Sequence, residues 1–254
     1  RDLTVTVGGR VDVNDIYGTG STWRAGATYL FRDTDTRFKG SYGTAFKAPS
    51  LFELYGGGFF CAGNPNLQPE YNRGYEFDVE QGLYNKKVSV GITYFYNSFS
   101  NLVQCPPPFT ALQNVANAQS EGVEAFLKMA PFNWLDLNLD YTYMNARTAT
   151  NTPLVRRPQD SISLRAEVRP WDGVRLGMGL SQVSNRYDFS IAPFSPAIIQ
   201  PSNYTLLRLT AAYDVRPNVE LFARVENVLN QSYEEPEGFQ VPYIQAFFGI
   251  KGKF

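Results

Sequence analysis

Side-chain polarity in this chain alternates with a period of two almost from end to end, and that rhythm restricts the fold more than any other feature. In "LDLNLDYTYM", Leu135, Leu137, Leu139, Tyr141 and Tyr143 fall on one face and Asp136, Asn138, Asp140 and Thr142 on the other. "VSVGITYFYN" sets Val88, Val90, Ile92, Tyr94 and Tyr96 against Ser89, Gly91, Thr93, Phe95 and Asn97. "VELFARVEN" and "ISLRAEVR" repeat the pattern, and "GYEFDVE" puts Glu76, Asp78 and Glu80 on one side. A period of two is the signature of a strand with unlike faces, whereas a helix repeats every 3.6 residues. About twelve such segments begin near Leu3, Thr22, Arg37, Gly74, Val88, Gly122, Leu135, Ser161, Val174, Tyr204, Val219 and Gln245. Most run about 9 to 11 residues, the length a tilted strand needs to cross a bilayer core. No stretch has a convincing helical period.

The connections carry a second rhythm. "RDTDT", "YNKK", "APFNW", "RPWDG" and "DVRPN" are short and rich in turn-forming residues. Between them lie long loops at about 13–21, 47–73, 99–121, 145–160, 184–203 and 228–244. A soluble sandwich has no reason to sort its loops alternately, whereas an outer-membrane barrel has short periplasmic turns and long external loops. The apolar faces then meet lipid and the charged faces line a wet lumen. Tyr29, Tyr84, Tyr143, Tyr213 and Trp134, at segment ends, suit aromatic girdles at the two interfaces. The expectation is an all-β transmembrane antiparallel barrel.

Composition narrows function. With 23 basic and 24 acidic side chains there is no basic surplus of the kind nucleic-acid binding uses. Histidine is absent, which removes imidazole-based hydrolysis and most zinc sites. Asp12, Asn14 and Asp15 in "DVNDIYGTG" lack the acidic spacing of a calcium loop and read better as turn residues. No catalytic set emerges, so no enzyme is expected, and no cofactor. No run of about 18 apolar residues is present for a spanning helix. The chain opens directly in a strand pattern, "RDLTVTVGGR", so a processed start or part of a longer chain is expected.

Several motifs now converge. "SYGTAFKAPSLFELYGGGFFCAGNPNLQPEYNRGYEFDVE" resembles the F-K-A-P-x-L and N-P-N-L-x-P-E region of TonB-dependent outer-membrane receptors. "NVANAQSEGVEAFLKM" is similar to their N-x-x-x-A-x-x-x-G-V-E strand opening, and "RVENVLNQSYEEPEGFQVPYIQAFFGIKGKF" to their closing segment. "AFFGIKGKF" ends on Phe254, resembling the terminal aromatic by which the barrel-assembly machinery reads such strands. Within the superfamily, "YTYMNARTATNTPLVRRPQDSISLRAEV" and "SNRYD" look nearest to the cobalamin (vitamin B12) transporters, while siderophore receptors share the P-L-x-R-R-P segment.

The resemblance implies that residues 1–254 are the C-terminal part of a 22-stranded barrel, strands 11 to 22. Its plug domain and TonB box would lie outside this sequence. The implied partners are outer-membrane lipid, the remaining strands and plug, the TonB energy-coupling complex and a cobalamin or metal-chelate ligand. Localisation would be the bacterial outer membrane. A ferric-siderophore receptor and a self-contained 12-stranded pore are the alternative readings.

Candidate ligand contacts follow. The resemblance places Arg156 among them, with Arg157 beside it and Arg186, Tyr187 and Asp188 opening the next loop. Guanidinium suits carboxylate, phosphate or amide oxygens. Tyr55, Phe59, Phe60, Phe189 and Phe194 lie in long loops where a corrin or aromatic chelate would stack. The alternation of connections puts Cys61 and Cys105 in long loops on the same side, separated by two strands and a short turn. A disulfide between them is expected, since outer-membrane proteins mature through an oxidising compartment.

Overall fold

The computed structural model describes residues 2–15, 17–58, 61–106, 110–115, 117–190 and 197–253. Its principal strands are β1 (Leu3–Asn14), β2 (Gly18–Phe31), β3 (Thr36–Lys47), β4 (Glu70–Leu83) and β5 (Val88–Ser100). Next come the short β6 (Val103–Gln104) and β7 (Gln113–Asn114), then β8 (Ala118–Phe132), β9 (Leu135–Thr148), β10 (Asp160–Val168) and β11 (Val174–Ser184). The short β12 (Asp188–Phe189) and β13 (Ile198–Ile199) precede β14 (Tyr204–Arg216), β15 (Val219–Glu226) and β16 (Gln245–Gly252). One helix, α1 (Leu51–Tyr55), lies in the loop after β3.

Twelve strands form one sheet in the order β1-β2-β3-β4-β5-β8-β9-β10-β11-β14-β15-β16, each beside its neighbour in sequence. Every pairing is antiparallel. The order runs from β1 at one edge to β16 at the other as a single antiparallel meander.

The expected faces are present. Register aligns Leu127, Leu139, Leu164, Leu180 and Leu207 in a row across β8, β9, β10, β11 and β14. One step nearer the short turns, Met129, Leu137, Ala166, Met178 and Leu209 form a second row. These rows point outward, and so do Val13 and Phe248, each 79% exposed, and Ile250, 73% exposed. Among the described residues the buried apolar side chains are Leu54, Leu67, Ala118 and Tyr204 together with Pro49 and Pro69, all at the loop end. A water-soluble sandwich bearing this much outward Leu, Val and Phe would forfeit its main driving force. In a bilayer the same surface is at home.

Aromatic residues border the belt. Near the short turns stand Tyr29, Phe31, Phe38, Tyr84, Trp134, Trp171 and Tyr213, all exposed, with Phe132 stacked on Trp134 at 5.2 Å. Towards the loops stand Tyr75, Tyr94, Tyr96, Tyr141 and Tyr143. From Trp134 to Tyr143 the strand rises about 30 Å at about 3.3 Å per residue. A tilt of about 40° reduces that to about 23 Å, close to the apolar band of such barrels.

The opposite face is polar. Glu80 takes Arg37 at 3.0 Å and Lys39 at 3.2 Å, and Lys39 also meets Asp78 at 3.0 Å. Thr93 donates to Asp78 at 2.9 Å. Two of the three acids in "GYEFDVE", Asp78 and Glu80, thus belong to a cross-strand ladder on the polar face, where opposite charges stabilise them. Arg175 grips Asp214 through two nitrogens on the same side of the sheet.

Four expectations need correction. The connection after the first strand is residues 15–17 rather than a loop over 13–21, because β1 and β2 stay paired out to Asn14 and Gly18. Asp12 is a strand residue paired with Arg10, and the Gly and Thr residues that looked like loop punctuation are ladder positions. Eight of the twelve sheet strands run 12 to 15 residues, longer than a bilayer crossing alone needs, since pairing continues beyond the lipid belt at the loop end. The chain also contains a helix, set by capping rather than by period. Ser50 accepts from the Glu53 amide, and the Glu53 carboxylate accepts from the Ser50 amide.

Candidate functional site

The long connections at one end of the sheet gather into two bodies. The first joins loops 48–69 and 101–117. The expected disulfide is present, linking Cys61 to Cys105 with Cα atoms 6.3 Å apart. Around it the loops are knotted through their backbones. Ala62 donates to the Thr110 carbonyl and accepts from the Leu112 amide, both at 2.9 Å. Asn64 Nδ2 reaches the Leu112 carbonyl at 3.0 Å. Asn114 accepts from the Gln68 amide at 2.7 Å and donates back to the Gln68 carbonyl at 2.9 Å.

Leu54, 2% exposed, and Leu67 form a small core under this knot. Burying one such side chain contributes about 1.5–3 kcal/mol. Gly63 presses so closely on the Gly56 backbone that a Cβ would sit 2.7 Å from its carbonyl oxygen, leaving no room for a side chain. Lys47 bridges Glu53 at 3.0 Å and Glu70 at 3.2 Å, tying the helix to the tops of β3 and β4. The Glu53 carboxyl is pushed up by partial burial. The Ser50 amide and Lys47 outweigh that and hold it below its ordinary value.

On this rigid base Leu51, Phe52 and Tyr55 are all exposed. Their helical spacing gathers them on one side of α1. Tyr55 therefore presents its ring to solvent. Phe59, Phe60, Phe194 and Phe254 lie outside the described residues.

The second body joins loops 149–159, 185–203 and 227–244, and Asp188 is its hub. Asp188 is 3% exposed. Its Oδ1 accepts from Arg156 Nε at 2.9 Å and from the Phe189 amide at 2.8 Å, and its Oδ2 accepts from the Glu237 amide at 2.9 Å. Burial alone would raise this carboxyl. The bonds from Glu237, Arg156 and Phe189 more than offset that and hold it below the usual carboxylate range.

Arg156 has a left-handed backbone, φ 58°, and its amide donates to the Tyr187 carbonyl at 2.7 Å. Such a conformation is uncommon for a bulky residue and persists where its surroundings fix it. The side chain is 56% exposed. Only Nε is engaged, and the two terminal nitrogens have no hydrogen-bond partner among the described residues. Arg157 is also exposed, with one terminal nitrogen on the Arg156 carbonyl at 3.1 Å.

Arg186 is placed differently from the other candidates. It is 5% exposed, donates to the Glu234 carbonyl at 2.7 Å and lies 5.0 Å over the Tyr204 ring. Tyr204 stacks on Tyr233 at 4.1 Å and hydrogen-bonds to Glu235. Arg186 thus props the loops from within, and Tyr187 contributes its backbone carbonyl to Arg156. No hydrogen bond or ion pair links α1 to loop 149–159 among the described residues, so Tyr55 and Arg156 belong to separate loop bodies. The supporting residues Glu234, Glu235, Glu237, Tyr204 and Tyr233 were not singled out in the sequence. The acid run "YEEPEGF" was the signal available.

Residues 2–228 match the family described as TonB dependent receptor-like, beta-barrel. Among solved structures, the ferric enterobactin receptor of Pseudomonas aeruginosa superposes with a TM-score of 0.81 at 18% identity, covering 100% of this chain and 43% of that one. The ferripyoverdine receptor of the outer membrane of the same organism gives 0.77 at 20% identity, covering 100% and 36%. The ferric-catecholate import receptor Fiu of E. coli gives 0.72 at 17% identity, covering 92% and 35%. The chain thus spans less than half the length of these structures.

Proposed function

We propose, for a chain that belongs to the TonB-dependent receptor β-barrel family, the capture and import of a large, scarce metal chelate across the outer membrane. The lipid-facing belt lies in that membrane, and the polar concave face looks into the barrel. Residues 1–254 are read as the C-terminal part of a 22-stranded barrel, strands 11 to 22. The remaining strands, the plug and the contact with TonB are assigned to the rest of a longer protein. Phe254 is read as the assembly signal.

Arg156 carries the ligand reading. A guanidinium fixed through Nε and through its own backbone presents two terminal nitrogens to the mouth, already ordered before the ligand arrives. Such preorganisation reduces the entropy lost on binding. Tyr55 and the neighbouring Phe52 supply an apolar surface for a flat chelate, and Arg157 adds charge at the rim. Arg186 and Tyr187 act from behind, holding the loops.

The motif segments around Arg156 and Arg186 favour a corrinoid of the cobalamin class as the cargo. A second reading, a ferric siderophore, is favoured by the similar structures, which are ferric enterobactin, ferripyoverdine and ferric-catecholate receptors. Titrating the full-length receptor with cyanocobalamin and with ferric catecholate and hydroxamate chelates separates the two. Arg156→Ala is expected to weaken the true ligand by about 1.5–3 kcal/mol, the range for hydrogen bonds to charged groups. Arg157→Ala is expected to weaken it less. Absence of binding by every chelate would refute the reading, and unchanged affinity in both variants would return the pair to a structural role.

A further inference from the structure

We propose that Asp188 is a positioning residue for Arg156, and that it ties the ligand-facing guanidinium to the last loop before the C-terminal strand. This rests on the reading that Arg156 touches the ligand. The motif resemblance named Asp188 only alongside Arg186 and Tyr187, and nothing in it distinguishes this aspartate from its neighbours. The structure does, because three loops meet at its two oxygens.

Oδ1 holds Arg156 of loop 149–159 at 2.9 Å, and Oδ2 holds the Glu237 amide of loop 227–244 at 2.9 Å. Two residues earlier, Arg186 holds the Glu234 carbonyl of that same last loop at 2.7 Å. Two buried side chains of opposite charge, at positions i and i+2, therefore clasp segment 234–237 from one short stretch of chain. The segment is internally braced as well, since the Gly238 amide donates to Glu234 Oε2 at 2.7 Å.

The chemistry of position 188 is specific. Its partners among the described residues are all donors, namely a guanidinium and two backbone amides, so both oxygens act as acceptors. An asparagine has nearly the same shape but only one acceptor oxygen and an NH2 in place of the other. Whichever way the amide turns, a donor faces a donor. Either Arg156 loses its anchor or loop 227–244 does, and the position is too buried for water to substitute freely. With the anchor gone, Arg156 becomes one rotamer-rich side chain among many and must be ordered by the ligand itself.

The test is a double-mutant cycle in the full-length receptor. Affinity is read with whichever probe the intact protein binds, cyanocobalamin or a ferric catecholate chelate, and hydrogen exchange of residues 227–244 is followed in parallel. Asp188→Asn is expected to weaken binding about 5- to 10-fold on its own and less than about 2-fold in the Arg156→Ala background, since coupled neighbours are not additive. Asp188→Glu, which restores both acceptors, is expected to recover part of the loss. Faster exchange in 227–244 is expected in Asp188→Asn with the barrel still heat-stable. Additive losses, or full affinity in Asp188→Asn while Arg156→Ala is impaired, would overturn the positioning role alone. Full affinity in Arg156→Ala would remove the ligand reading and the proposal with it.

Discussion

Leu139 offers the sharpest test of which face meets lipid. It sits in a row of five leucines, Leu127, Leu139, Leu164, Leu180 and Leu207, between the girdle residues Trp134 and Tyr143. At about 3.3 Å per residue and a tilt of about 40°, it stands within a few ångströms of the bilayer centre. Replacing it with lysine places an ammonium in hydrocarbon, which costs about 2–4 kcal/mol at the midplane and about 0–1 kcal/mol at the interfaces. Leu137→Lys, in the adjacent row, is expected to cost about the same, and Tyr143→Lys about 1 kcal/mol or less. The control is Thr142→Lys. Thr142 lies opposite Glu124 in the register and on the polar face, so a lysine there meets water and a carboxylate. It is expected to change stability by about 0.5 kcal/mol or less. Reversible urea unfolding of the full-length receptor in phosphatidylcholine vesicles, followed by heat-dependent gel mobility, reads these differences. Equal costs for Leu139→Lys and Thr142→Lys, or no dependence on depth, would refute the assignment of faces.

Other expectations follow from the loop bodies and the sheet. Replacing Cys61 and Cys105 by serine opens a link spanning 44 positions, worth up to about 4 kcal/mol by the chain-entropy argument. The backbone knot at Ala62 and Asn114 retains much of that order, so a smaller loss is expected, read as faster proteolysis within loops 48–69 and 101–117. Gly122→Ala drives a Cβ into the Tyr143 carbonyl oxygen and to 2.7 Å from the Phe95 ring, so a loss of about 1–3 kcal/mol is expected in the same unfolding assay. Asp188 has a lowered carboxyl pKa in the folded protein, so its stabilisation is present above the unfolded value of about 3.9 and fades as pH falls through the lower folded value. Hydrogen exchange of loop 227–244, corrected for intrinsic rate, should hold steady from pH 7 to about 5 and rise only below about pH 4. Asp188→Asn should abolish that rise.

Twelve strands, their two faces and their meander were legible because each rests on local alternation and on the regular sorting of connection lengths. A residue's face is set by the parity of its position, so Leu139 and Asp140 declare opposite environments without reference to any partner. The alternation of long and short connections put Cys61 and Cys105 at one end, and the disulfide followed. Local reasoning failed where composition imitated a break. Gly18, Thr19, Gly20 and Ser21 looked like loop and are strand, because the ladder to β1 outweighs the weak strand propensity of the two glycines. It also passed over α1, whose Ser50–Glu53 capping box is too short to register as a period.

What only the tertiary structure decided is the role of each side chain at the mouth. Arg156 and Arg186 look alike in sequence, yet one offers its terminal nitrogens to solvent and the other is buried against Tyr204 and Glu234. The difference arises from partners far away along the chain. Asp188 is 32 positions from Arg156 and 49 from Glu237. Such contacts have no period and no fixed spacing, since loops of any length can bring their ends together at little extra entropic cost. Strand alternation is dictated by two-fold backbone geometry and can be read one residue at a time. A hub of three loops exists only once the wall beneath has fixed where each loop begins and ends.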